Sequence, residues 1–201
     1  SFAEGAAVAC GTGTAYAALR RMQIAGGDTL AVFGQGPVGL SATLLGAAMG
    51  ARVIAVETSP ERLKLAAQFG ADAVINSSKT DVLQAIKDLT RGEGVALALE
   101  CSSAPAARKA AVQCVKTWGT ACYVGEGGEV TLDVSPDLLR RQVTLIGSWT
   151  FSAMGMLECA RFVAERKLGL ERIFSHRWRL EQADEAYRSF DTQSTGKGVF
   201  L

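Results

Sequence analysis

Nowhere in these 201 residues does an apolar run reach membrane-spanning length; the best candidate, 40–50, is short and flanked by turn residues. No N-terminal stretch reads as a signal peptide. Cysteine pairing is missing as well. The five cysteines, Cys10, Cys101, Cys114, Cys122 and Cys159, are odd in number and contain no C-x-x-C pair. A disulfide framework is not expected; most read as small buried hydrophobes in a reducing cytoplasm. Neither sign of charge is in excess. The 21 Lys and Arg stand against 20 Asp and Glu, a net +1, which leaves no footprint for nucleic acid or a membrane surface. There is one histidine, and no low-complexity tract or internal repeat. What remains is a chain 48% hydrophobic, ample for a sizeable core. It begins Ser-Phe-Ala-Glu without Met and enters at once an apolar helical segment, which reads as a piece cut from something longer.

The most informative segment is 29–57, TLAVFGQGPVGLSATLLGAAMGARVIAVE. An apolar run suited to a buried parallel strand leads into Gly34-Gln35-Gly36-Pro37-Val38-Gly39, a G-x-G-x-x-G. Small apolar helix formers follow, then a second buried strand ending at Glu57. Glycine turns are common, but strand, helix, second strand and terminal acid here fall where a dinucleotide site needs them. Gly34 allows the tight turn, Gly36 removes a Cβ from the path of a pyrophosphate, and Gly39 lets the helix approach the sheet. Pro37 suits the first helical position, where its missing N–H costs nothing. The helix N-terminus offers unpaired amides and a partial positive charge to phosphates. Glu57 is placed to accept both adenosine ribose hydroxyls and to repel a 2′-phosphate, so NAD is expected over NADP.

Along the chain six strands are expected, at 30–33, 52–56, 73–75, 96–99, 120–124 and 143–147, with helices at 37–49, 60–69, 81–90 and 104–115. Such alternation makes an α/β fold, a doubly wound parallel six-stranded sheet of Rossmann type, with its ligand crevice at the strands' carboxyl ends. Small or polar groups stand at those ends: Gly34, Glu57, Cys101-Ser102-Ser103, Gly125-Glu126-Gly127 and Ser148. Residues 25–150 form this dinucleotide-binding domain. Residues 1–24 read as a helix leading into it. Residues 151–201 read as helix, strand, helix and strand, with apolar faces that would pack on a domain absent here.

With those landmarks in place, the chain resembles the cofactor-binding portion of the zinc-dependent medium-chain alcohol dehydrogenases. The resemblance rests on Cys10-Gly11-Thr12-Gly13-Thr14-Ala15-Tyr16, the glycine motif, Glu57 with Arg62, Gly70-Ala71-Asp72, Tyr123-Val124-Gly125 and Thr195-Gly196-Lys197-Gly198. It implies oxidation of a small-molecule alcohol or polyol to an aldehyde or ketone, with hydride passing to NAD and a catalytic Zn²⁺ polarising the alcohol oxygen. In that family three protein ligands hold the zinc. Cys10 matches one of them; a Cys and a His would come from an N-terminal domain this sequence lacks. Thr14 matches a position at the nicotinamide end and is counted with Cys10 as catalytic. Arg62 would stack on the adenine or meet the ribose, Val124 and Ser148 match backbone contacts to the carboxamide, and Lys197 matches a basic position reaching the pyrophosphate. Cys101 and Gly125 join them along the crevice. His176 matches no ligand position. Glu57 replaces the commoner Asp, and Trp149 and Glu126 add bulk and charge near the nicotinamide end.

The resemblance also points to a homodimer or homotetramer, built here through the 143–147 edge together with 129–133. Alone, the 201 residues are expected to be inactive and metal-free. Two other readings stay open. A zinc-free quinone or enoyl reductase of the same superfamily would carry small or basic residues in place of Glu57 and no ligand cysteine. A non-catalytic NAD-sensing domain would need neither Cys10 nor residues 151–201. A methyltransferase's glycine-rich loop is the remaining look-alike.

Overall fold

The computed structural model describes residues 1–192 and 196–201; Thr195 of the C-terminal landmark lies outside the described residues. Two helical pieces, Phe2–Ala7 (α1) and Gly13–Arg21 (α2), lead in. Thr29–Phe33 (β1), Pro37–Ala48 (α3), Arg52–Glu57 (β2), Pro60–Gln68 (α4) and Ala73–Asn76 (β3) build the first half of the sheet. Val82–Leu89 (α5), Val95–Glu100 (β4), Pro105–Cys114 (α6), Val115–Tyr123 (β5) and Thr144–Gly147 (β6) build the second. The strand order is β3-β2-β1-β4-β5-β6, every neighbouring pair parallel. The order reverses between β1 and β4, where ligands of such sheets bind.

Local chemistry explains the punctuation. Ser59 caps α4 through the Arg62 amide and Asp81 caps α5 through the amides of Leu83 and Gln84. Proline opens α3, α4 and α6. Strand residues alternate between two cores: Leu30 and Val32 face one side with α2 and α3, while Ala31 and Phe33 face the other with α5 and α6. Cys114 and Cys122 are buried in these cores, and burial pushes each thiol up to about 12. No helix among the described residues is long and apolar enough to cross a membrane.

Four expectations need correction. The helix expected to run to 115 stops at Cys114, because Val115 turns to extended backbone and pairs with Val95; β5 therefore starts five residues earlier than expected. The 1–24 helix is interrupted by a π turn, Val8–Thr12. Residues 129–133, expected to extend the β6 edge, form no strand, and Asp133 is instead held through its amide by Asp137. The C-terminal segment is not left uncovered: Ala153–Glu165 (α7) buries Cys159 and Val163, and Leu170, Ile173, Phe174 and Val199 join the same core as α2 and α3. After α7 come Phe174–Trp178 (β7), Ala183–Asp191 (α8) and Lys197–Phe200 (β8), with β7 and β8 paired in a separate two-stranded sheet. Met154, Leu157 and the almost fully exposed Phe2 remain on the surface, and α1 and α7 line an open hollow of about 860 Å³.

Candidate functional site

The turn after β1 is built on three glycines with different constraints. Gly34 has φ +84°, a left-handed conformation that disfavours a side chain, and a Cβ there would come within 2.8 Å of the Ser102 Cβ. Gly36 faces open space, as a backbone approached by a ligand requires. Gly39 differs from expectation: a Cβ there would collide with the Gly34 carbonyl, so this glycine lets α3 close on the turn. The tight helix-to-sheet contact lies at Gly46, where a Cβ would be 2.8 Å from Leu30 Cδ2. Gln35, fully buried, points back into the fold, its amide nitrogen donating to the Val32 carbonyl and its oxygen accepting from Thr43 of α3. Gly36 is the N-cap of α3 and no side chain caps that end, which leaves its first amides for a ligand.

Glu57 ends β2 beside this turn. Its Oε2 accepts from the Gln35 amide at 2.7 Å, and Oε1 accepts from the Thr58 amide, the Thr58 hydroxyl and the Ser59 amide at 2.7, 3.0 and 3.2 Å. Arg62 Nη1 stands 3.9 Å from Oε2. Burial pulls the Glu57 pKa up, but the backbone and hydroxyl donors outweigh it and hold the carboxyl below its ordinary value. Two carboxylate oxygens have about four lone-pair sites, so a ribose would share or displace a donor; the Thr58 hydroxyl is the one free to rotate. Gly34, Glu57, Thr58, Asp81, Ser102 and Ala107 are among the residues lining one cavity of about 530 Å³.

A second acid, missed in the sequence, ends β4. Glu100 is 0% exposed and accepts from the Ser102 amide and hydroxyl, both at 2.5 Å. Its Oε2 lies 3.7 Å from Arg108 Nε, and neither atom has a hydrogen-bond partner. Arg108 Nη2 donates to the carbonyls of Gly125 (2.7 Å) and Gly127 and so straps down the loop after β5. Tyr123 donates to the Arg108 carbonyl at 2.9 Å; burial and then the nearby Glu100 charge push its phenol up to about 12. Since Phe33 of β1 pairs with Val56 on one side and Glu100 on the other, the two acids flank the glycine turn. An acid closing an apolar strand was the readable signal, the same one that marked Glu57.

The remaining candidates divide. Cys101 donates its amide to the Phe33 carbonyl, and burial followed by the Glu100 charge holds its thiol well above the ordinary value. The amides of Val124 and Gly125 both donate to the Glu100 carbonyl, and buried Ser148 donates its amide to Tyr123. All four therefore line up at the carboxyl ends of β4, β5 and β6. Cys10 is exposed on the π turn, and the Thr14 hydroxyl donates to its carbonyl at 2.9 Å. Lys197 is not brought to the glycine-turn cavity; it lies on β8 in a smaller hollow with Trp178, Tyr187 and Phe200. His176 stacks on Trp178 with ring centroids 5.0 Å apart.

The chain's fit to the two implied groups differs. The open backbone at Gly36, the uncapped helix and the acid-lined cavity fit a dinucleotide. For zinc, no group of three or more His, Cys, Asp or Glu is gathered among the described residues; Cys10 offers one donor and these residues form no metal site by themselves.

Comparison with known proteins agrees with this geometry. Residues 37–165 match the family model described as zinc-binding dehydrogenase. The chain is 40% identical over 201 residues to a zinc-type alcohol dehydrogenase-like protein of Escherichia coli K12, covering 99% of this chain and 57% of that protein. It is 32% identical over 182 residues to L-threonine 3-dehydrogenase of Pyrococcus horikoshii, covering 87% of this chain and 51% of that one. An alcohol dehydrogenase structure from Thermotoga maritima superposes with a TM-score of 0.90 at 26% identity, over 98% of this chain and 56% of that one. The chain thus spans about half the length of the curated relatives it matches.

Proposed function

The chain belongs to the zinc-binding dehydrogenase family, and from that premise we propose that it is the cofactor-binding part of an NAD-dependent alcohol or polyol dehydrogenase. One observation carries the reading: the Gly34 turn and the Glu57 carboxylate line the same cavity, beside the uncapped end of α3. In this proposal the pyrophosphate rests on the amides around Gly36, Val38 and Gly39, with Pro37 fixing the first turn; Lys197, which lies in the separate hollow on β8, takes no part in it. The adenosine ribose meets Glu57, with Arg62 beside it. The nicotinamide end lies along Cys101, Val124, Gly125 and Ser148, with Thr14 near the reacting carbon. Bound NAD would accept the hydride released as the alcohol becomes an aldehyde or ketone.

Glu57 also sets the choice of cofactor, since its charge opposes a 2′-phosphate. Cys10 would donate one thiolate to a zinc completed by residues outside this chain, so the 201 residues alone should bind no stoichiometric metal and turn over no alcohol. The joint presence of Glu57 and an exposed Cys10 favours this reading over the zinc-free reductase. In the same proposal residues 25–150 are the dinucleotide domain, residues 1–24 and 151–201 belong with the catalytic domain, and the exposed apolar side chains of α1 and α7 meet its remainder.

The test is turnover by the full-length protein on a panel of alcohols and polyols, followed through NADH absorbance with NAD and with NADP. NAD-linked oxidation of at least one of them supports the proposal. Turnover only with NADP, or none with any panel member by metal-loaded protein that binds NAD, counts against it.

A further inference from the structure

Residues 2–21 run as a helical rod with one irregularity, the π turn at Val8–Thr12. Such turns are rare, need something to hold them, and gather at functional sites. Two holds are visible. A Cβ at Gly13 would collide with the Val8 carbonyl and come 2.8 Å from the Phe151 ring, so the turn depends on that glycine. The second hold is polar. Thr12 Oγ1 lies 2.9 Å from Ser41 Oγ, and Ser41 Oγ donates to the Pro37 carbonyl at 2.7 Å. A serine hydroxyl has one proton; Ser41 commits it to Pro37, so Thr12 is the donor to Ser41. The relay therefore has a direction, Thr12 to Ser41 to Pro37.

Both hydroxyl-bearing residues are 1% exposed. Gly11 seats the turn on the same spot, since a Cβ there would lie 3.6 Å from Pro37 and from Val38. Pro37 is the first residue of α3. The relay thus joins the turn that carries Cys10, and the Thr14 hydroxyl bonded to it, to the end of the helix that faces the crevice. A buried hydroxyl pair adds little net stability over apolar isosteres, while it does fix direction and spacing.

We propose that Thr12 and Ser41 are positioning residues that hold the Cys10 turn in register with α3, so that filling the crevice is transmitted to Cys10. The proposal rests on the reading of the crevice as an NAD site.

The test uses full-length protein freed of metal by a chelator, with NAD as the probe. The rate of Cys10 alkylation by iodoacetamide is followed by peptide mass spectrometry, without NAD and with NAD at saturation for each variant. In wild type, NAD should change that rate by about fivefold or more, the lower range of ordinary coupling between sites. Thr12→Val and Ser41→Ala should each cut the response below about twofold, the pair should lose no more than either alone, and Thr12→Ser should restore it. A Thr12→Val protein with the wild-type response, or losses that add in the pair, would overturn the relay. If Thr12→Val does not fold, Ser41→Ala decides, because its hydroxyl is the middle of the chain. Calorimetry on wild type separates the two readings. Absence of NAD binding removes the crevice reading and the relay with it, whereas NAD binding without any Cys10 response removes the relay alone.

Discussion

Glu57 serves the fold and the proposed ligand with the same two oxygens. By bonding the Gln35 amide it holds the glycine turn against the end of β2, and by bonding Thr58 and Ser59 it shapes its own strand end. Its folded pKa lies below the ordinary 4.5, so the ionised carboxyl stabilises the fold fully above that value and loses this as pH falls through the lower folded one. Wild type should therefore be more heat-stable than Glu57→Gln near neutral pH, and the gap should close as the pH falls below 4.5 and through the lower folded pKa. Thermal unfolding of both proteins across that range checks this, and a gap that widens toward acid contradicts it. Glu100 works at a similar strand end with less freedom, since its Oε2 and the facing Arg108 Nε are buried without partners. Its place was readable from the apolar run before it, but the Cys-Ser-Ser that follows drew attention to the small groups instead.

At the level of elements, what punctuation marks was legible. Strand, glycine turn, helix and strand from β1 to β2 fall at their expected places, as does the start of α4 at Pro60, while α5 starts at Val82, one residue later than expected, after its Asp81 cap. Where the chain uses less common backbone, the pattern went silent. Trp118 has φ +62° and the register shifts between Val95 and Leu97, so the stretch after α6 reads as a turn although it is the start of β5. The π turn is hidden because its condition is a missing Cβ opposite a carbonyl five residues back, which helical periodicity does not display. The same logic assigns Gly39 a sharp cost. Gly39→Ala drives a methyl into the backbone carbonyl of Gly34, which cannot swing aside as a side chain would. The variant should lose about 3 kcal/mol, the upper range for overpacking, seen as a fall in melting temperature of roughly 6–12 °C for a domain of this size. NAD affinity should fall with it, and a variant that melts like wild type contradicts the assignment.

For the whole molecule, the sheet order leaves β6 as one edge, with Leu145 exposed along it. An apolar open edge pairs readily, and two copies meeting there would form a two-fold dimer. Sedimentation of the full-length protein should show a dimer or tetramer, dissociated by Leu145→Lys; a monodisperse monomer at high micromolar concentration contradicts this. The 129–133 stretch takes no strand part in that edge, so β6 would carry the pairing alone. The reading as an NAD-linked enzyme finally depends on what enters the crevice beside Glu57. Calorimetric titration of wild type and Glu57→Ala with NAD and with NADP tests it most directly. Losing a charge-assisted bond of about 1.5–3 kcal/mol should weaken NAD binding roughly tenfold to a hundredfold. NADP affinity should hold level or improve, because the same substitution removes the charge facing its 2′-phosphate. Equal losses for both cofactors would make Glu57 a structural residue and contradict its role as selector, and no binding of either to wild type would contradict the site itself.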